Sequence, residues 1–459
     1  MKGFSRVIQD HFIRGRRFHA TRLVALSFAV LILLGALLLT LPLASRSGES
    51  AGFFTGLFTA TSAACVTGLV TVDTWTAWSP FGQGVLLVLI QLGGLGFMTV
   101  ITVASFALHR RIGLAERLLM VSTLNLNDMD GVVRVVRRAL LGTALLEGTG
   151  TLLLSLRMVP QYGLVRGVWH ALFHAVSAFC NAGFDLQGGD TGPFSSLTAF
   201  QDDPLVLLVT AMLVIAGGLG FFVWDDIVRH RCWKKLSPYS KLVLGLTALL
   251  LAGGSVFFFA VEGENPSTLG AMPLGEKWLN AFFQSVTLRT AGFNVIDQGA
   301  MRDSSLVMSC VFMLIGGSSG STAGGIKTVT VWVLFMLMFT GLRGKEAIMF
   351  RGCTLSPRRA MNAVTLFFMV LFLLLAGSML ISLTDETAYL SALFETASAL
   401  GTVGLTAGLT PTLSRLSQGG LILLMYTGRV GVLTCSLAFL IRPKDALNIK
   451  YPKFDIMIG

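Results

Sequence analysis

Long apolar runs alternate with short polar segments along the whole chain. The first run, 23–43, holds 21 residues without a charge, enough to cross a hydrocarbon core of about 30 Å at about 1.5 Å per residue. Seven further runs have spanning length, at 85–108, 139–156, 204–224, 242–261, 304–342, 360–383 and 419–441. The pattern predicts an all-α integral membrane protein with eight transmembrane helices. Each pair of runs is separated by a shorter apolar stretch of about a dozen residues, too short to cross and suited to a re-entrant segment.

These short stretches are copies of one another. They read FTATSAACVTGL from Phe58, FHAVSAFCNAGF from Phe173, FFQSVTLRTAGF from Phe282 and FETASALGTVGL from Phe394. In each, a Phe precedes a Gly by ten residues, and Gly68, Gly183, Gly292 and Gly404 are spaced 115, 109 and 112 apart. One such Gly is readily explained by helix packing. Four in register, each followed by Leu or Phe, mark one unit repeated four times, with the phenylalanines as core. The chain thus divides into four tandem helix, pore loop, helix repeats in pseudo-fourfold arrangement, at 23–108, 135–230, 238–342 and 358–441. A basic segment, 1–22, precedes them and a tail, 442–459, follows.

Non-helical backbone is tolerated at membrane depth only where it is buried in protein or lines a wet cavity. Four such turns around an axis surround a pore. Their carbonyls replace the hydration shell of a cation, and the glycine accommodates the dihedrals this requires. The C-terminal ends of the four short helices also favour a cation. The expected filter residues are Val66, Thr67 and Gly68; Asn181, Ala182 and Gly183; Thr290, Ala291 and Gly292; and Thr402, Val403 and Gly404.

Charge fixes the sides. Segments 1–22, 109–138, 225–241, 343–359 and 442–459 carry 6, 6, 5, 5 and 4 Lys plus Arg, 26 of the 35 in the chain. The alternate loops hold most of the acids, so both termini are expected in the cytoplasm. The net charge of +11 does not mean nucleic acid, because the basic residues lie in alternate loops rather than on one soluble face. The leader Arg14, Arg16, Arg17 and Arg22 is like a secretory n-region, yet the apolar run is too long and no small-x-small site follows it. Six cysteines without CxxC spacing read as free thiols rather than disulfides or a zinc site.

No enzyme signature survives. His170 and His174 have the spacing of HExxH without its Glu, and read as packing or hydrogen bonding. Asp225 and Asp226, beside Arg229 and Arg231, read as solvated charges. GGSSGSTAGGIKT, at 316–328, has Ile326 between Gly325 and Lys327 and no strand before it, so it is not a phosphate-binding loop. Such a run of glycines and hydroxyls forgoes about 1 kcal/mol of helix propensity per Gly, and a flexible intramembrane loop is expected there. Lying on a pore-lining helix, the loop can block the cavity below the filter.

Arg429 stands near the middle of the last run. A charge at that depth costs about 2.5–3.5 kcal/mol on insertion scales, so it must face a cavity or a partner. GGLG at 93–96 and 217–220 aligns with GRVG at 428–431, placing Arg429 where Gly94 and Gly218 stand and, in the third repeat, Gly317. Either it projects into the ion path as a barrier to cations, or it pairs with Glu147 or Glu395. A cation-coupled secondary transporter is the alternative architecture, but such proteins often use inverted repeats, whereas all four units here begin on the cytoplasmic side. A mere scaffold needs no aligned glycines.

The four pore loops, the 316–328 segment, YTGRVG at 426–431 and the closing IKYPKFDIMIG together resemble the Ktr/Trk potassium-transporter superfamily nearly end to end. The Ktr-type membrane subunit is the closer match, since Trk-type subunits usually carry an extra N-terminal helix pair. The resemblance implies a potassium-uptake pore in a bacterial inner membrane. Potassium preference goes with Gly at every aligned filter position, whereas some sodium-passing plant relatives carry Ser in the first. It also implies that Gly316, Gly317, Ser318, Ser319, Gly320, Ser321, Thr322, Ala323, Gly324, Gly325 and Lys327 form a gate, and that Arg429 is a pore barrier. The subunit is expected to form a homodimer on a cytosolic, KtrA-like (RCK/KTN-type) ring, with ATP and ADP acting on the ring and no cofactor in this chain. Arg343, Lys345, Arg351, Arg358 and Arg359 are docking candidates for that ring, although anionic lipid headgroups explain the same charges.

Overall fold

The computed structural model describes residues 22–96, 132–189, 192–344, 348–350 and 353–435. Repeat one contains α1 (Arg22–Thr40), the short helix α2 (Phe53–Ala64) and α3 (Pro80–Leu95). Repeat two contains α4 (Val132–Tyr162), α5 (Leu164–Cys180), α6 (Pro204–Leu219) and α7 (Phe221–His230). Repeat three contains α8 (Pro238–Glu262), α9 (Leu274–Thr287), α10 (Asp303–Leu314) and α11 (Thr328–Leu342). Repeat four contains α12 (Pro357–Asp385), α13 (Tyr389–Gly401), α14 (Arg415–Val430) and α15 (Val432–Cys435). A two-residue antiparallel pairing, β1 (Met349–Phe350) with β2 (Cys353–Thr354), joins repeats three and four.

Helix starts follow from local chemistry. Ser79, Asp203 and Ser237 each precede a proline at the first helical position and accept a backbone N–H two or three residues on, which satisfies donors the helix leaves free. Among the described residues four helices are long and apolar enough to cross a membrane, all of them first helices of repeats: α1, α4, α8 and α12. Their outward faces carry exposed apolar residues such as Leu33, Leu145, Leu249 and Phe372. The pair α6 and α7 makes a fifth if counted as one broken span.

The second helices are interrupted more often than the apolar pattern predicts. Runs 204–224 and 419–441 read as continuous, but α6 gives way to α7 at Gly220 with a bend of 96°, and α14 ends at Gly431. The cause is the last glycine of the aligned GGLG and GRVG motifs. Gly96, Gly220 and Gly431 have φ of 79°, 87° and 96°, a left-handed conformation that no regular helix contains. Residues 97–108 and 436–441, at the ends of two expected spans, lie outside the described residues. In repeat three the expected break is present, α10 ending at Leu314 and α11 resuming at Thr328.

The most buried segments are the four short helices, although they are rich in polar side chains. Thr59, Ser62, Ser177, Gln284, Ser285, Glu395 and Ser398 are all fully enclosed. Protein encloses their C-terminal parts, which lead to the aligned glycines, whereas N-terminal residues such as Phe53, Val165, Leu274 and Tyr389 are exposed. Phe58, Phe173 and Phe394 are buried as expected, but in repeat three Phe283 is buried and the aligned Phe282 only partly so. The C-terminal turn of α9 is one residue out of register with the other three.

Candidate functional site

The four aligned glycines meet in a closed ring. A methyl group on Gly68 would lie 2.6 Å from the Ala182 carbonyl oxygen, and one on Gly183 would lie 2.9 Å from that of Ala291. One on Gly292 would overlap the Val403 oxygen, and one on Gly404 the Thr67 oxygen, which closes the circle from repeat four to repeat one. Each glycine therefore faces the carbonyl just before the glycine of the next repeat. The circuit of contacts is fourfold, and no side chain can be added anywhere on it without striking backbone.

The backbone of each turn repeats as well. Val66, Asn181, Thr290 and Thr402, two residues before each glycine, have φ between 52° and 66°, and the glycines themselves have φ between 70° and 96°. A non-glycine residue held left-handed carries strain that the surrounding structure must hold in place. Here a buried hydroxyl does so in every repeat. Ser62 Oγ accepts the Gly68 N–H at 3.0 Å, Ser177 Oγ that of Phe184 at 3.0 Å, Ser398 Oγ that of Gly404 at 3.0 Å, and Thr287 Oγ1 that of Phe293 at 2.9 Å. The pore-loop alignment contains this signal: serine six residues before the glycine in three repeats, and threonine five before it in the out-of-register third. These hydroxyls lie outside the filter residues expected from the sequence. The Thr67 and Thr402 hydroxyls are buried in the ring without a protein partner. Just outside it Asp185 is pushed up to about 6, chiefly by burial, with the Asp73 charge adding and hydrogen bonds from Gln187 and Ser196 opposing.

The segment 316–327 lies beneath the ring and touches it. Thr322 Oγ1 donates to the Phe179 carbonyl at 3.1 Å, and Gly324 has the Thr402 hydroxyl where its own side chain would be. Gly316 and Thr328 close the base of the loop, through Gly316 N–H to the Ile326 carbonyl (2.9 Å) and Thr328 Oγ1 to the Gly316 carbonyl (3.0 Å). Lys327 Nζ donates back to the Ala323 carbonyl at 2.7 Å. The whole expected segment from Gly316 to Lys327 is thus one folded loop.

Arg429 pairs with neither candidate carboxylate. Its guanidinium donates to the carbonyls of Thr322, on the loop, and of Gly93 and Gly94, the last at 3.0 Å. Both glycine carbonyls belong to the last turn of α3, where a helix leaves its acceptors free and carries partial negative charge. Glu147 instead accepts from Gln91 at 3.1 Å. Glu395 gathers the loop after the fourth turn, accepting from Thr406 and Thr410 hydroxyls at 2.5 Å and the Ala407 N–H at 3.0 Å. The glycine alignment around Arg429 is supported by packing: methyl groups on Gly93, Gly217 and Gly428 would overlap the carbonyls of Ala64, Phe179 and Leu400, each the fourth residue before its ring glycine.

The remaining candidates are structural. His174 Nε2 is 3.0 Å from Thr210 Oγ1, and His170 stacks on Tyr162 with centroids 4.6 Å apart. Asp225 bridges Arg138 and Arg229 at 2.6 and 2.8 Å, and Asp226 meets His230 at 2.7 Å. Arg343, Arg358 and Arg359 are exposed, whereas Lys345 and Arg351 lie outside the described residues. Cys65, Cys180, Cys232, Cys310 and Cys435 are free thiols.

The chain matches the family model of the cation transport protein TrkH over residues 18–450. It is 42% identical to the potassium/sodium uptake protein NtpJ of Enterococcus hirae over 450 residues, 97% of this chain and 98% of that one. It is 40% identical to the Ktr system potassium uptake protein B of Bacillus subtilis over 452 residues, 98% and 99% of the two chains. The crystal structure of the potassium transporter TrkH from Vibrio parahaemolyticus superposes with a TM-score of 0.71 at 18% identity, covering 92% of this chain and 84% of that one, a likeness of fold.

Proposed function

The chain belongs to the TrkH family of cation transport proteins, and from that premise we propose that it takes up potassium through one gated, channel-like pore per subunit, driven by the electrochemical gradient. The observation that carries this reading is the closed ring of Gly68, Gly183, Gly292 and Gly404 with the next repeat's carbonyl at each. Twelve residues, three per repeat up to and including each glycine, form the selectivity filter. The two unpartnered hydroxyls, of Thr67 and Thr402, add oxygen ligands to the carbonyls. The protein is no enzyme, and potassium is its cargo.

The eight-span, pseudo-fourfold architecture follows if every broken second helix crosses the membrane as a unit, with the four repeats bounded as expected from the sequence. The basic segments then place both termini in the cytoplasm. The loop 316–327 is the gate and Arg429 the barrier, and the hydrogen bonds between them support treating the two as one obstruction. Two copies assemble as a homodimer on a cytosolic nucleotide-binding ring that responds to ATP and ADP. Exposed Arg343, Arg358 and Arg359 are available to dock it or to meet lipid headgroups.

Uptake of ⁸⁶Rb⁺ into proteoliposomes containing the purified protein, with K⁺ or Na⁺ competing outside, tests the reading. Strong competition by K⁺ and weak competition by Na⁺ are expected. Uptake that requires a sodium or proton gradient would replace the channel-like pore with a coupled transporter.

A further inference from the structure

The broken second helix of repeat two and the loop of repeat three share their backbone hydrogen bonds. Because α6 stops at Gly220, the carbonyls of Gly217, Gly218 and Leu219 have no acceptor role within a helix. The loop supplies the missing donors: Thr322 N–H to Gly217 O at 3.2 Å, Ser318 N–H to Gly218 O at 3.0 Å, and the Ser318 hydroxyl to Leu219 O. In the other direction, the first N–H of α7, Phe221, donates to Gly320 O at 3.0 Å. Tyr239, at the start of α8, adds its hydroxyl to Ser319 O at 3.5 Å, and the Phe222 ring covers Gly320. The loop is the C-terminal cap of α6, and α7 is held at its 96° angle by the same bonds.

We propose that the α6–α7 bend and the intramembrane loop are one two-state element, in which withdrawal of the loop from the pore is coupled to straightening of α6 and α7 into a continuous helix. The hydrogen bonds nearly balance between the two states. Bent, the loop and the helix ends make four bonds with one another, donated by Thr322 N–H, Ser318 N–H, the Ser318 hydroxyl and Phe221 N–H. Straight, Phe221, Phe222 and Val223 N–H groups would donate to Gly217, Gly218 and Leu219 carbonyls in ordinary i to i−4 geometry, three bonds for the four given up. The three carbonyls at the end of α6 keep a donor in both states, while the Gly320 carbonyl and the Ser318 and Thr322 N–H groups of the withdrawn loop pass to water. Gly220 is the hinge, and its φ must change from +87° to the helical value near −60°. The Arg138–Asp225 bridge, 2.6 Å long, belongs to the bent state and opposes the change. The proposal rests on the loop being the gate, and its test separates the two.

The test uses the full chain in proteoliposomes, spin-labelled at positions 208 and 228, where Leu208 and Val228 are exposed on α6 and α7, with Cys232 replaced by Ser. Pulsed electron–electron resonance reads the distance between them. Helical rise and the 96° bend give about 21 Å for the bent state, against about 30 Å for a straight helix. Shortening the 316–325 loop should move the distribution to about 30 Å and raise ⁸⁶Rb⁺ flux. Flux that rises while the distance stays at about 21 Å overturns the coupling and leaves the gate standing. A distance that lengthens with flux unchanged overturns the gate and leaves the helix exchange standing. Two substitutions at the hinge extend the test. Gly220→Ala disfavours the left-handed hinge and places a methyl 2.7 Å from Ser318 Oγ, so it should populate the long distance and raise flux several-fold. Phe221→Pro removes the N–H needed for the straight helix while suiting the first position of α7, and combined with the shortened loop it should return the distance to about 21 Å. Failure of the proline to do so overturns the proposal even if the alanine variant does not fold.

Discussion

Neutralising Arg429 tests the proposed obstruction most directly. On the proposed reading its guanidinium contributes in two ways, as a fixed positive charge on the ion path and as the tether of Thr322 to the end of α3. At an effective dielectric of about 20, a unit charge about 8 Å from a passing cation raises its energy by about 2 kcal/mol, equivalent to about 30-fold in rate. The tether consists of three charge-assisted bonds, each contributing about 1.5–3 kcal/mol where it is made to a charged group. Their loss loosens the loop beneath the ring of glycines. Arg429→Ala should therefore raise ⁸⁶Rb⁺ uptake by about 10- to 100-fold, and Arg429→Lys separates the two contributions by keeping the charge without the planar fork. If lysine retains wild-type flux, the charge is the barrier; if lysine behaves as alanine, the tether is. Wild-type flux in the alanine variant, accompanied by a lower melting temperature, would refute the barrier and make Arg429 a structural brace.

Three further substitutions probe the ring and its surroundings. Gly404→Ala, which combines a φ of 96° with overlap of the Thr67 carbonyl, should abolish K⁺ over Na⁺ competition or reduce flux at least about 10-fold, since left-handed strain alone costs about 1–2 kcal/mol; selective uptake at the wild-type rate would argue against the ring as filter. Ser398→Ala leaves the buried Gly404 N–H without its 3.0 Å acceptor, a loss of about 1–3 kcal/mol, and should lower the melting temperature while broadening selectivity, with Ser398→Thr restoring both. Asp185, whose folded pKa is raised to about 6, favours the protonated native state, so its effect on stability becomes more unfavourable as pH rises from about 4 to 6 and is complete above that. Asp185→Asn should accordingly melt higher than wild type at pH 7.5 and at the same temperature near pH 4, and a difference that does not vary with pH would show that Asp185 does not titrate in that window.

The sequence made some of this plain and hid the rest for identifiable reasons. The first helices were legible because each must present an apolar surface to lipid, and the ring because Gly68, Gly183, Gly292 and Gly404 are the positions where a side chain meets backbone. The breaks at Gly220 and Gly431 were not, because hydropathy averages over them and a glycine in an apolar run looks the same whether its φ is helical or left-handed. Where the sequence suggested a partner for Arg429 as the alternative to a barrier, it suggested carboxylates, because Glu147 and Glu395 are the conspicuous acids in the apolar segments. Backbone carbonyls have no sequence signature, and these became free only because α3 ends at Gly96. The one-residue slip of α9, which buries Phe283 in place of Phe282, was invisible because consecutive phenylalanines give the alignment nothing to distinguish.

The ring is built from four equivalent turns, but the contacts beneath it draw on the four repeats unequally. Breaking the second helices at Gly96 and Gly220 leaves carbonyls pointing out of helix ends in repeats one and two. Repeat four supplies Arg429 to those of repeat one, and repeat three supplies its loop to those of repeat two. The Arg429 bond to Thr322 then joins the two caps. The symmetric part of the fold thus creates unsatisfied acceptors, and the asymmetric part satisfies them. An element that opens the path must provide those acceptors with other donors at the same time, water at the end of α3 or the helix's own amides at the end of α6. The same bonds explain why so glycine-rich a loop can hold one position: it is fixed in large part by the helix ends it completes.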